Sequence, residues 1–163
     1  MSLQLYVWDR CFLLRAETLV LPPLRKVRSR PAATLLIGGA EPFGMSGIGE
    51  PGQRFEALLL APHVPRGALD AARSDLLILD AGIATPAYQR LLPALAPNAV
   101  RVFDAAEAAA LHELLPPCSE SMGCARANTL FDRLIGALAP DEAAEVALGP
   151  RIEQVLRVIE QCP

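Results

Sequence analysis

Short apolar runs broken by turn-forming residues dominate roughly the first hundred positions, and this restricts the chain to an architecture of short strands. Leu3 to Trp8 and Cys11 to Arg15 flank Asp9-Arg10, a spacing suited to a hairpin although the turn lacks glycine. After the break at Pro22-Pro23, Ala33 to Ile37 forms a further run, which ends at Gly38-Gly39 and turns back through Glu41 to Gly44. Phe55 to Ala61 and Leu76 to Leu79 follow, with Pro62 and Pro65 bracketing a bend after the first of them. These runs predict an antiparallel β-barrel or sandwich. None approaches the roughly 20 apolar residues of a membrane-spanning helix. Met1 to Asp9 also lacks the basic region and cleavage site of a signal peptide. A cytoplasmic chain without membrane contact is expected.

From Thr85 the period lengthens. Tyr88, Leu91, Leu92 and Leu95 fall on one helical face, and Asp104-Ala-Ala-Glu107 has the form of a capping box that would open a helix over Ala105 to Leu115, stopped by Pro116-Pro117. Ala127, Leu130, Phe131, Leu134, Ile135 and Leu138 make the cleanest amphipathic stripe. A short helix is expected after Pro140 and another from Pro150, with Ile152, Val155, Leu156 and Ile159 on one face and Gly149-Pro150 as the joint. Charge divides the chain in the same way: residues 1–103 carry 11 basic and 8 acidic groups, residues 104–163 carry 4 and 10. The expected organisation is α+β, with a β-rich domain over 1–103, a helical region over 104–148 and a linker helix beginning at 149–163. A net charge of -3 argues against gripping nucleic acid by phosphate neutralisation.

Candidate chemistry is sparse. His63 and His112 have no carboxylate at metal-ligand spacing, so neither a metal nor another cofactor is expected. Cys11, Cys118, Cys124 and Cys162 form no CxxC pair and read as reduced thiols. The glycines at 38, 39, 44, 47, 49 and 52 suggest hairpin turns rather than a phosphate cradle, because no helix opens after them, and Ser46 reads as turn chemistry. Arg25-Lys26-Val27-Arg28-Ser29-Arg30 is the densest charge in the chain. Such a segment commonly guards a solvated edge. If alternate side chains turn inward, Arg25, Arg28 and Arg30 could instead hold an anion bidentately.

Leu5-Tyr6-Val7-Trp8-Asp9-Arg10-Cys11-Phe12-Leu13-Leu14 resembles the first hairpin of the sensing domains of AraC-type bacterial transcription regulators. Phe55 to Arg66 resembles their central strand and Ala-Pro bend, Leu76 to Asp80 the next strand, and Leu148 to Glu160 the helix leading into their paired helix-turn-helix units. The resemblance spans nearly the whole chain and rests on the order of loose apolar motifs. It implies a cupin-like barrel that senses a small molecule, helices that mediate a homodimer, and promoter contact only through DNA-binding units beyond Pro163. Where many relatives have histidines this chain has Arg25 to Arg30, and Arg66 stands after the bend where a His often does; any effector is therefore expected to be anionic or to carry a strong acceptor group. Arg25, Arg28, Arg30 and Trp8 are the candidate ligand-binding residues. Leu130, Phe131, Leu134, Ile135 and Leu138 are the candidate dimer interface, unless that stripe packs on its own sheet.

No catalysis is expected. Two other classes fit the same pattern: a cupin-type enzyme, which needs clustered His and Glu around a metal, and a stand-alone binding or scaffold domain. Elemental analysis of the purified chain separates the enzyme from the rest. No stoichiometric transition metal is expected, and finding one would overturn the expectation of a metal-free barrel.

Overall fold

The computed structural model describes residues 3–21, 30–117 and 120–139. In chain order the strands are β1 (Leu3–Trp8), β2 (Cys11–Ala16), β3 (Leu19–Leu21), β4 (Ala32–Gly38), β5 (Phe43–Met45), β6 (Arg54–Phe55), β7 (Ala57–Leu60), β8 (Leu69–Ala71), β9 (Leu76–Gly82) and β10 (Val100–Val102). The helices are α1 (Pro86–Leu95), α2 (Ala105–His112) and α3 (Cys124–Leu138). The expected hairpin forms between β1 and β2. Its turn manages without glycine because Asp9 (φ 32) and Arg10 (φ 62) both take the positive φ that a two-residue connection between twisted strands demands.

Two antiparallel sheets result, a larger one in the order β1-β2-β9-β4-β7-β10 and a smaller one in the order β3-β8-β5-β6. Neither closes on itself, so the architecture is an open sandwich and not a barrel. Phe55 to Ala61 is not one strand: the chain changes sheet at Glu56, leaving β6 in the smaller sheet and β7 in the larger. The glycine-rich stretch forms the turns between β5 and β6, where Gly47, Gly49 and Gly52 adopt positive φ.

The larger sheet is covered on both faces. Leu13, Leu35, Ile37, Leu59, Leu77 and Leu79 point to the side where the helices lie, while Leu36, Leu58, Leu60, Leu76 and Ile78 meet Phe43, Met45, Phe55 and Leu69 of the smaller sheet. The molecule therefore has three layers, helices on sheet on sheet. α1 is capped by Thr85, whose hydroxyl accepts from the Tyr88 amide, and it precedes β10, so the helices do not all follow the sheets in sequence. The capping box forms as expected: the Asp104 carboxylate accepts from the Glu107 amide, and the Glu107 side chain accepts from the Asp104 amide. α2 nevertheless ends at His112, short of Leu115, and the Pro116-Pro117 segment after it is pinned by buried Arg15, which donates to both proline carbonyls. The Tyr6 hydroxyl donates to the Met122 carbonyl at 2.6 Å and ties the approach to α3 onto β1. The helices expected after Pro140 and Pro150, and the joint at Gly149-Pro150, lie outside the described residues.

Leu130, Phe131, Leu134, Ile135 and Leu138 are between 0% and 8% exposed and belong to the core between α3 and the larger sheet. The stripe is thus satisfied within one chain and has no free area to offer a second copy in this conformation. Among the described residues, no helix is long and apolar enough to cross a membrane. Leu134→Ala should cost about 2–5 kcal/mol in urea unfolding, with a midpoint independent of protein concentration. A concentration-dependent loss would place Leu134 between subunits instead.

Candidate functional site

The register places Phe12, Asp80, Thr34, Leu60 and Val100 in one row across β2, β9, β4, β7 and β10. Residues directly opposite in antiparallel strands share a face, and this row lies on the face shared with Leu36, Leu58 and Ile78, toward the smaller sheet. Two of its members are polar and buried: Asp80 is 3% exposed and Thr34 0%. An ionised carboxylate there needs partners, because desolvation otherwise costs several kcal/mol.

Its partners come from loops gathered at this end of the sandwich. Arg30, just before β4, donates from Nη1 to Asp80 Oδ2 at 2.7 Å. The Thr34 hydroxyl donates to Asp80 Oδ1 and accepts from Arg66 Nη2 at 2.8 Å, so Arg66 reaches the carboxylate through the hydroxyl. Asp80 can only accept and Arg66 can only donate, which fixes the direction of the Thr34 proton. The bend after β7 also holds Arg30 by its backbone: the His63 amide, at a φ of 64, donates to the Arg30 carbonyl at 2.8 Å. Gly82 is required at the end of β9, where a Cβ would come within 2.7 Å of the Arg10 carbonyl oxygen and wedge the hairpin turn away.

Arg10, Phe12, Arg30, Asp80, Gly82 and Ile83 line a depression of about 520 Å³ between these loops, within the roughly 300–1,000 Å³ common for small-molecule sites. The Arg30 guanidinium lies 5.1 Å from the centre of the Phe12 ring, a cation–π distance. Burial pushes the Arg66 guanidinium below its ordinary value; nearby Asp80 opposes that shift and Arg30 adds to it. Its Nε is buried and has no hydrogen-bond partner among the described residues.

Of the expected ligand residues, Arg30 stands at this site, while Arg25 and Arg28 lie outside the described residues. Trp8 is not brought to it: the ring packs edge-on against Phe131, 5.0 Å between centroids, on the helix side of the larger sheet. Asp80, Thr34, Phe12 and Arg10 were not singled out by the sequence. The sequence carries only a weak signal for them, a polar residue within or just after an apolar run; the pairing of Thr34 with Asp80 that sets both on one face comes from the register. Ser46 is in turn chemistry, its Oγ accepting from the Ala68 amide at 2.7 Å. Among the described residues, no group of three or more His, Cys, Asp or Glu side chains gathers as a metal site would require. Comparison with known family models, curated proteins and solved structures finds no match to this chain.

The charges should be coupled. Asp80→Ala strands two guanidinium groups and is expected to cost about 2–4 kcal/mol, discounted for the half-open Arg30. Asp80→Leu combined with Arg66→Met should cost less than the sum of the single changes by about 0.5–3 kcal/mol in urea unfolding. Strict additivity would mean that Arg66 does not feel Asp80.

Proposed function

We propose that this chain is the effector-sensing part of an AraC-type transcription regulator, a cupin-like sandwich that holds a small molecule among the loops at one end of its larger sheet. The observation that carries the reading is the coincidence of a loop-lined depression with a buried charged row, Asp80 and Thr34, in a sheet that is otherwise apolar on that face. Loops held by a rigid sheet are where binding residues concentrate, and four separate parts of the chain contribute here: the β1–β2 turn, the approach to β4, the β7–β8 connection and the turn after β9. An occupant would touch the β1–β2 turn, the approach to β4 and the turn after β9, which line the depression, and so bear on their relative positions, as a sensor requires. Homodimerisation, expected of such a regulator, would use a surface other than the α3 stripe. Promoter contact would belong to helix-turn-helix units encoded after Pro163.

Two measurements test this. Reading the coding sequence past Pro163 should reveal two helix-turn-helix patterns in frame; a stop codon there would overturn the regulator reading. A thermal-shift panel of small metabolites should raise the midpoint for one chemical class, by about 2.7 kcal/mol equivalent at a hundredfold excess over Kd. No response to any compound would overturn the sensing reading.

A further inference from the structure

We infer that the loop-lined depression at the Asp80 end of the larger sheet takes a small organic anion, a carboxylate on a flat apolar body, with the carboxylate meeting the surplus guanidinium charge and the body lying against Phe12. This rests on the sensing reading above and names the class of molecule sensed.

Charge carries the first half of the argument. The cluster holds one carboxylate, Asp80, against two guanidinium groups, Arg30 directly and Arg66 through Thr34. Arg10, a third cation, lies in the same lining. Arginine stays charged at any ordinary pH, so among the described residues the site keeps at least one positive charge unanswered, close to a low-dielectric core where such a charge acts strongly. Asp80 is already engaged at both oxygens. Arg30 spends Nη1 on it and keeps 45% of its side chain exposed. Its guanidinium is thus fixed by an ion pair and by the Phe12 ring, with the remainder open to solvent at the mouth. A planar fork held in this way suits a carboxylate bidentately at little further entropic cost. A neutral polyol would leave the surplus charge unanswered.

Shape and polarity carry the second half. Between the arginines the lining is apolar, made by Phe12, Pro31, Ala32, Ile83 and Ala84. Ile83 is 46% exposed and offers its aliphatic surface to an occupant of the depression. Inorganic phosphate or acetate would satisfy the charge and leave these walls in water. An aromatic or short aliphatic body would cover them and stack on Phe12.

Calorimetric titration of the 163-residue chain with benzoate, benzamide, acetate and inorganic phosphate tests both halves. Benzoate should bind about tenfold or more tightly than benzamide, which keeps the ring and lacks the charge, and than acetate or phosphate, which keep the charge and lack the ring. Benzoate no better than benzamide would overturn the assignment of charge, and phosphate or acetate equal to benzoate would overturn the assignment of an apolar body. Phe12→Leu preserves an apolar side chain and should bring benzoate toward acetate; unchanged benzoate affinity would count against the Phe12 platform. Arg30→Ala should erase the preference for benzoate over benzamide, and the ligand comparison stands without it if that variant fails to fold. A neutral metabolite that binds where benzoate does not would overturn this inference and leave the sensing reading intact. Failure of every compound in both experiments would remove the sensing reading itself.

Discussion

Burial of the larger sheet on both faces is the constraint from which the rest of the fold follows. β4, β7 and β9 are buried at every position, so neither face can be left to water and a layer must cover each. The helices supply one layer and the smaller sheet the other. Coverage fails toward the β1 margin, where Leu3, Leu5 and Val7 are 58–71% exposed on the face they share with Leu14 and Phe12. At the Asp80 end the inter-sheet space is closed by side chains from connecting segments, Arg30 and Arg66, in place of strands. The same constraint that demands a second sheet thereby leaves one end of it to loops, and the candidate site is there.

This constraint also explains what could be read from the residues beforehand. A strand buried on both sides has no alternation, so Ala33 to Ile37 and Leu76 to Leu79 stood out as continuous apolar runs of strand length. The hairpin and the capping box were legible because their determinants are local: two residues between runs, and an Asp three positions before a Glu. The three-residue strands β3, β5, β8 and β10 were not, since such short pairings are specified by the partner across the sheet and carry no period of their own. The division at Glu56 was hidden for the same reason, both sides of it being apolar. The α3 stripe was plain as a stripe, but an amphipathic face says only that something covers it. In this conformation the larger sheet of the same chain covers it.

The site was legible only in part, and the missing part is instructive. Charge density drew attention to Arg25 to Arg30, and one of those residues does reach the buried row. The residue that organises the row is a single Asp after an apolar run, which reads in a sequence as the end of a strand. β9 instead continues through Asp80 to Gly82 because Thr34 and Arg30 satisfy the carboxylate in place. Only the register, which sets Thr34 and Phe12 beside Asp80, turns three unremarkable positions into a cluster.

A buried carboxylate with two guanidinium partners is a poor way to stabilise a sheet. The desolvation of the three groups is repaid incompletely, and apolar side chains of similar volume commonly serve stability as well or better. Leu36 and Ile78, one row further along the same strands, are the apolar solution to the same packing problem. The polar row therefore needs a reason other than the core. Its charges sit at an end of the sheet where loops gather and, among the described residues, they are unbalanced toward positive and one guanidinium nitrogen of Arg66 is buried without a partner. An anion at the mouth would balance the charge, and by its field would ease the repulsion between Arg30 and Arg66 that burial otherwise sharpens. An occupant that relieved the cost of the row would give an occupied state the differential free energy that any sensing equilibrium requires.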